Sequence, residues 1–295
     1  MSFITYLING ISLGSVYAII ALGYTMVYGI AKMLNFAHGD VIMIGCYTVF
    51  TIVSTLNLPT WLGMIVSIVL CTVLGITIEA VAYRPLRQAS SSLAVLITAI
   101  GVSYLLQNVA LLIFGANTKS FTSVVNIGAL KLGKDGALTI TGETIVTISA
   151  CIIIMIALTM FVNKTKAGQA MLAVSEDKGA AQLMGINVNA TISLTFAIGS
   201  ALAAIAGMLL CSSYPALTPY TGSMPGIKAF VAAVFGGIGS IPGAFIGGII
   251  LGIIEILSKA YISSQLSDAI VFLVLIVVLV VKPTGILGRK IQEKV

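Results

Sequence analysis

Charge is what this chain has least of. Asp, Glu, Lys and Arg together make 8% of its 295 residues, against about a quarter in soluble domains. One or two water-soluble domains are thereby excluded. There is one histidine, His38, so a ring of imidazoles around a metal is out of reach. The four cysteines, Cys46, Cys71, Cys151 and Cys211, lie inside apolar runs with no close spacing, which fits small packing residues and no metal. No paired carboxylates, His cluster or nucleophile with a base stand out, so an intramembrane enzyme has no chemistry to use, and no cofactor is expected. A basic leader followed by an Ala-x-Ala cleavage site is also lacking, so the first apolar stretch is expected to stay as a span.

What is present is apolar. Hydrophobic residues make 59% of the chain and the mean hydropathy is +1.13, the composition of an integral membrane protein. Apolar runs fall at about 6 to 30, 40 to 57, 61 to 83, 93 to 115, 142 to 162, 191 to 213, 226 to 257 and 266 to 282, and a bilayer core needs about 20 residues per helix. The seventh run is overlong and broken by glycine, so eight runs can mean nine crossings. The expectation is an all-α, polytopic transmembrane helix bundle of about eight to nine spans, with two broken segments and a suspected inverted repeat, embedded in a lipid bilayer.

The net charge of +6 is scattered over short loops and gathered on no one face, so it reads as a topology signal and not as a nucleic-acid surface. Placing Lys32, Arg84, Arg87, Lys164, Lys166, Lys178, Lys282, Arg289, Lys290 and Lys294 in the cytoplasm puts ten of fifteen basic residues there. The N-terminus is then outside and the C-terminus inside. The stretch 116 to 142 is external. Within it, Gly128 to Asp135 imitates a phosphate loop, but Asp135 stands where Ser or Thr is needed and no strand and helix flank it, so the match is rejected.

One long stretch interrupts the oil, Asn163 to Asn189. Ser175 reads as an N-cap, Glu176 and Asp177 suit the first turn of a helix, and Gly185 suits a left-handed C-cap. These signals predict a helix over roughly 176 to 184, about two and a half turns. Ala167 to Val174 predicts another short piece entered through Gly168. Helices this short are marginal in water alone, so the body of the protein or a partner must hold them.

Two breaks lie at membrane depth, where polar groups default to functional hypotheses. The first is Asn35, Phe36, Ala37, His38, Gly39 and Asp40. The second is Gly236 to Gly243, containing Gly237 and Gly239, at a corresponding place in the second half. Interrupted segments at matching positions of two halves point to a transport path; tight turns between helices are the plainer alternative. His38 and Asp40 are expected at a wet span end, as capping and packing residues. Glu255 and Lys259 read as an i,i+4 pair, Glu79 as a partner of Arg84, Glu143 as a helix start, and Lys228 as a lysine snorkelling to the outer interface. Glycines four apart (Gly10 and Gly14; Gly239, Gly243 and Gly247; Gly248 and Gly252) allow close helix approach.

Several runs in order, GYTMVYGIAKMLNFAHGD from Gly23, EAVAYRPLR from Glu79, AVSEDKGAAQLMGINV from Ala173, KAFVAAVFGGIGSIPGAFIGGIILGIIE from Lys228 and KPTGILG from Lys282, closely resemble the LivH-type permease of bacterial branched-chain amino-acid ABC importers, over nearly the whole chain. The resemblance implies one transmembrane permease domain over 1–295 in the bacterial cytoplasmic (inner) membrane. It implies a LivM-like second permease, two cytoplasmic ATPases, and an external substrate-binding protein delivering leucine, isoleucine or valine. It also implies that the loop at 163–190 docks on the ATPase, with Gly168, Glu176, Asp177, Ala181 and Gly185 matching the motif. The alternatives are the same class with urea, amide or another amino acid as cargo, or a secondary transporter run by an ion gradient.

Overall fold

A computed structural model describes residues 3–88, 92–125, 127–132 and 138–288. Arg289, Lys290 and Lys294, assigned above to a cytoplasmic tail, and the Gly133 to Asp135 part of the rejected phosphate loop lie outside the described residues.

The order is α1 (Phe3–Ala31), α2 (His38–Phe50) prolonged by a π-helical turn (Thr51–Thr55), α3 (Thr60–Ile78) prolonged likewise (Glu79–Tyr83), and α4 (Ser92–Phe114). The strands β1 (Lys119–Ser120), β2 (Leu130–Leu132) and β3 (Leu138–Ile140) follow, then α5 (Gly142–Lys164), α6 (Lys166–Glu176), α7 (Lys178–Leu183) and α8 (Val188–Ser213). The chain finishes with β4 (Ala216–Leu217), α9 (Ser223–Gly236), α10 (Ile241–Tyr261) and α11 (Ser267–Val281). Among the described residues, seven helices are long and apolar enough to cross a membrane, and α9 and α11 are shorter apolar helices. The eight apolar runs thus become nine apolar helices, the seventh run being divided between α9 and α10. The protein is an all-α multi-pass membrane protein.

The bundle is built around α1 and α8. A helix apolar on every side belongs in an interior, and α1 is buried without interruption from Ser12 to Val27. Around this pair, α3, α4, α5 and α11 turn large side chains outward, Leu112 on α4 and Val280 on α11 among them. The most extensive helix–helix interface is that of α1 and α10, which run antiparallel. A Cβ on Gly10 would lie 2.8 Å from the Ile253 Cα, and one on Gly14 would lie 2.7 Å from the Ile249 Cα. Gly248 faces Ala18, and Gly252 faces Gly14. Gly243 and Gly247 use the other side of α10, against Gly236 and Ala232 of α9. The glycine spacing therefore serves two interfaces on one helix, with no hydrophobic force needed to draw backbones together in lipid.

The strands mark one end of the bundle. β1 pairs with β4, Lys119 opposite Leu217, and β2 pairs with β3. Helix α5, opened by the Thr141 cap with Glu143 in its first turn, carries the chain from there to the opposite end, where α6 and α7 lie.

Candidate coupling site and translocation path

The polar elbow is ordered by its own caps. The Thr165 hydroxyl accepts the Gly168 amide at 3.0 Å and starts α6. Helix α6 then lays Gly168, Met171 and Val174 against the body, Met171 wholly buried. Gly168 presses on the backbone of Phe161 and Val162, where a side chain has no room. The expected cap at Ser175 is not formed. Ser175 lies inside α6, its hydroxyl donating to the Leu172 carbonyl at 2.7 Å. Asp177 takes the role: it is extended, with φ −153°, and its carboxylate accepts from Gly179 at 2.8 Å and Ala180 at 3.0 Å. Glu176 is the exposed last residue of α6 and belongs to no first turn. The predicted helix over 176–184 is therefore α7, with the pieces joined two residues later than the capping signal suggested.

Helix α7 ends on Gly185, at φ +81°, with Ile186 donating to the Ala181 carbonyl and Gly185 to that of Gln182. That is the left-handed termination its glycine predicted. Ala181 faces inward and is buried, whereas Leu183 and Met184 are 90% and 82% exposed. These two apolar side chains project from a polar segment outside every long apolar helix. No residue-level signal had singled them out.

The elbow is tied to the bundle at two points. Lys178 donates to the Ala31 carbonyl, the last residue of α1, at 3.1 Å. Burial first, then the neighbouring charges of Arg87 and Lys32, push its ammonium pKa below the usual lysine value. Beside it, Glu79 is fully buried at the end of α3 and accepts from Arg84 at 2.9 Å, from Arg87, and from Ser193 of α8. Arg87 also reaches Asn189. Lys32, Arg84, Arg87, Lys164, Lys166 and Lys178 thus share the elbow's end of the molecule, the clustering of lysine and arginine that the positive-inside rule expects of a cytoplasmic end.

The first break lies deeper than a span end. α1 stops at Lys32, at φ +57°, and residues 32–37 turn back into the bundle. Asn35 is buried and accepts the Tyr83 hydroxyl at 3.0 Å, and Phe36 packs on Phe230 of α9 with ring centroids 5.8 Å apart. α2 begins at His38 beside Gly23, roughly 12 Å back along α1. His38 is not at a wet edge: it is 0% exposed, its ring 4.6 Å from that of Tyr24. The Ile20 carbonyl acts on it, but neither ring nitrogen completes a hydrogen bond among the described residues. Asp40 is buried and accepts from Gln107 at 2.9 Å; Gln107 also reaches Ser223, the first residue of α9. Gly39 and Gly222 meet backbone to backbone. Two helix N-termini, those of α2 and α9, therefore abut inside the bundle.

The second break is a different object. Gly237 and Gly239 take φ +106° and +92°, and Ser240 caps α10 by accepting from Gly243 at 3.2 Å. The carbonyls of Phe235 and Gly236 are taken by Ile286 and Leu287, both at 2.9 Å. The KPTGILG segment thus closes the turn, and the plainer alternative, a tight turn between helices, describes the second break. The two breaks do not form one cluster, although Gly239 touches Gly29 of α1.

Lys228 does not snorkel. It is buried and donates to Glu255 at 2.8 Å and to Asp268 at 2.7 Å. Glu255 also accepts from Lys259 at 2.6 Å and from the Tyr17 hydroxyl at 2.8 Å. Only the Glu255–Lys259 spacing was visible along the chain; the other partners come from three other helices.

A multi-pass bundle with abutting helix N-termini in its interior and an ordered polar elbow at one end has the architecture expected of a membrane transport subunit. Residues 6–279 match the family described as branched-chain amino acid transport system / permease component, and the chain belongs to that family. It is 48% identical over 303 residues to the high-affinity branched-chain amino acid transport system permease protein LivH of Salmonella typhimurium, covering 99% of this chain and 98% of that one. The protein of the same name from Escherichia coli K12 gives the same figures. Permease protein BraD of Pseudomonas aeruginosa is 42% identical with the same coverage.

Proposed function

We propose that the protein is the membrane-spanning permease subunit of an ABC importer, that its cargo is the branched-chain amino acids leucine, isoleucine and valine, and that it works in a bacterial cytoplasmic membrane. The names and full-length coverage of the relatives support the class and the cargo. Its partners are a second, LivM-like permease, two cytoplasmic ATPases and an external binding protein. The chain acts as one permease domain, and its segment 163–190 is the coupling region.

The observation that carries the ATPase partner is the exposure of Leu183 and Met184 on a capped, ordered elbow at the basic end. Two large apolar side chains held out into water by a rigid short helix suit an apolar groove on another protein. Glu176 and Asp177 stand at the other, N-terminal end of α7. ATP binding on the partner can act on this chain only by favouring one arrangement of α6 and α7 over another. From there the path leads through Ala31 to Asn35, Phe36, His38 and Asp40, the residues proposed to border the translocation route.

Co-purification with tagged ATPase subunits tests this. The double change Leu183→Asp with Met184→Asp is expected to abolish ATPase recovery and ATP-driven leucine uptake together. Full recovery with full uptake would overturn the coupling assignment.

A further inference from the structure

At the end of the bundle opposite the elbow, α1, α8, α9 and α10 enclose a cavity of about 300 Å³. Its apolar wall is Leu13, Leu210 and Pro225, its polar floor is Tyr17, Glu255 and Lys259, and Tyr214 and Ala216 stand exposed at its mouth. A volume at the small end of ligand pockets suits a molecule of amino-acid size. It lies next to the first break, because Thr221 and Pro225 line it while Gly222 and Gly226 between them touch Gly39.

The charges of the floor, and of Lys228 and Asp268 paired behind it, narrow the ligand further. Lys228, Glu255, Lys259 and Asp268 are joined by ion pairs and sum to zero. An anion or a cation entering alone would leave one charge uncompensated in a desolvated setting, which is costly. A zwitterion leaves the sum unchanged. Within the set, Lys228 and Glu255 are buried, whereas the Lys259 and Asp268 side chains are 38% and 44% exposed; of these two, Lys259 is the one that lines the cavity and can exchange its partner for a ligand there.

We propose that this cavity binds an α-amino acid as its zwitterion on the way in. The ligand inserts into the Glu255–Lys259 pair: its ammonium meets the Glu255 carboxylate, its carboxylate meets the Lys259 ammonium, and a branched aliphatic side chain lies on Leu13, Leu210 and Pro225. Lys228 holds Glu255 in place throughout. The amino-acid identity rests on the transport reading above; the preference for a zwitterion rests on the charge balance alone.

The test is equilibrium binding of radiolabelled L-leucine to the purified full chain in lipid nanodiscs, with ATPase recovery and uptake by the assembled transporter measured in parallel. Saturable binding is expected, displaced by valine and by neither 4-methylpentanoate nor isoamylamine, which carry one charge each. Lys259→Met is expected to weaken binding about tenfold, the effect of losing one hydrogen bond to a charged group. Ala216→Trp, at the exposed mouth and outside the ion network, is expected to block the cavity to a similar extent while the chain still recovers the ATPase. No saturable binding, equal displacement by the singly charged analogues, or unchanged affinity in both variants would each overturn the site. If uptake survives such a result, only the site falls; if ATPase recovery and uptake are absent in the unaltered chain while leucine binds, the site stands and the transport reading falls.

Discussion

Lys178 Nζ donates to the Ala31 carbonyl at 3.1 Å, so the first residue of α7 holds the last residue of α1. The carbonyls at a helix C-terminus carry partial negative charge and lack intrahelical partners, which makes a lysine there favourable. The next residue, Lys32, already has φ +57°, and the chain then runs through Asn35 to His38. One hydrogen bond therefore joins α7 to the residue from which the first break departs. Lys178→Met should leave ATPase recovery intact, because Leu183 and Met184 are untouched. It should lower the leucine carried per ATP hydrolysed, since a hydrogen bond to a charged group is worth about 1.5–3 kcal/mol, enough to weaken the coupling roughly tenfold. Lys178→Arg should restore most of it. An unchanged transport ratio in Lys178→Met would remove this link.

Gly185 isolates a backbone effect. A Cβ there meets nothing within 4 Å, yet its φ of +81° disfavours any L side chain. Gly185→Val should therefore cost about 1–2 kcal/mol through conformation alone. The consequence should be a loosened α7 and reduced ATPase recovery. Gly185→Asn, which tolerates the left-handed region, should recover most of the loss. Equal recovery by the valine and glycine chains would show that the termination of α7 does not matter.

These cases divide what the sequence could say from what it could not. Gly185 was legible because a single residue type at a helix end decides a local φ. Ser175 misled because Ser175 and Asp177 are both good caps two residues apart, and choosing between them depends on α6 running on over Met171 and Val174 into the body. His38 was placed at a wet edge because a polar cluster between two apolar runs gives no depth; that depth comes from residues 32–37 turning back beside Gly23. Lys228 was misjudged for the same reason, its partners Glu255 and Asp268 lying on α10 and α11. Apolar runs, cap glycines and the basic end were local facts, and burial of charge was not.

Close packing of α1 on α10 should be intolerant of added volume, and α4 supplies the control. Gly14 faces the Ile249 backbone at a hypothetical 2.7 Å, whereas Gly101 meets nothing within 4 Å. Gly14→Leu should lower the stability of the purified chain by about 1–3 kcal/mol or more, the usual effect of overpacking. Gly101→Leu should leave the thermal midpoint nearly unchanged. If both variants melted alike, the α1–α10 contact would not be what sets stability.

Glu79 binds the end of α3 to the start of α8, and its partners are unequal. The Arg87 side chain is 11% exposed and that of Arg84 42%, while Glu79 itself is 0% exposed. Removing the carboxylate leaves Arg87 buried without its counter-ion, so Glu79→Gln should cost about 3–5 kcal/mol, as broken buried pairs do. Arg84→Gln should cost far less, because solvent already screens that partner. Unfolding midpoints measured side by side would check the order, and a larger loss from Arg84→Gln would contradict it.

The orientation of the chain can be tested across a single helix. Thr122 is exposed just past β1, Leu183 is exposed at the tip of α7, and α5 is the one long apolar helix between them. At 23 residues α5 spans roughly 34 Å, more than a bilayer core requires. The two positions must therefore lie on opposite sides, whether or not the shorter α9 and α11 cross completely. The native cysteines Cys46, Cys71, Cys151 and Cys211 are all fully buried, so they give little background to an impermeant maleimide. Thr122→Cys should label in intact cells, and Leu183→Cys should label after the membrane is opened. Labelling of Leu183→Cys from outside would invert the molecule, put the basic cluster of Arg84, Arg87 and Lys178 on the wrong face, and remove any route by which a cytoplasmic ATPase could reach the elbow.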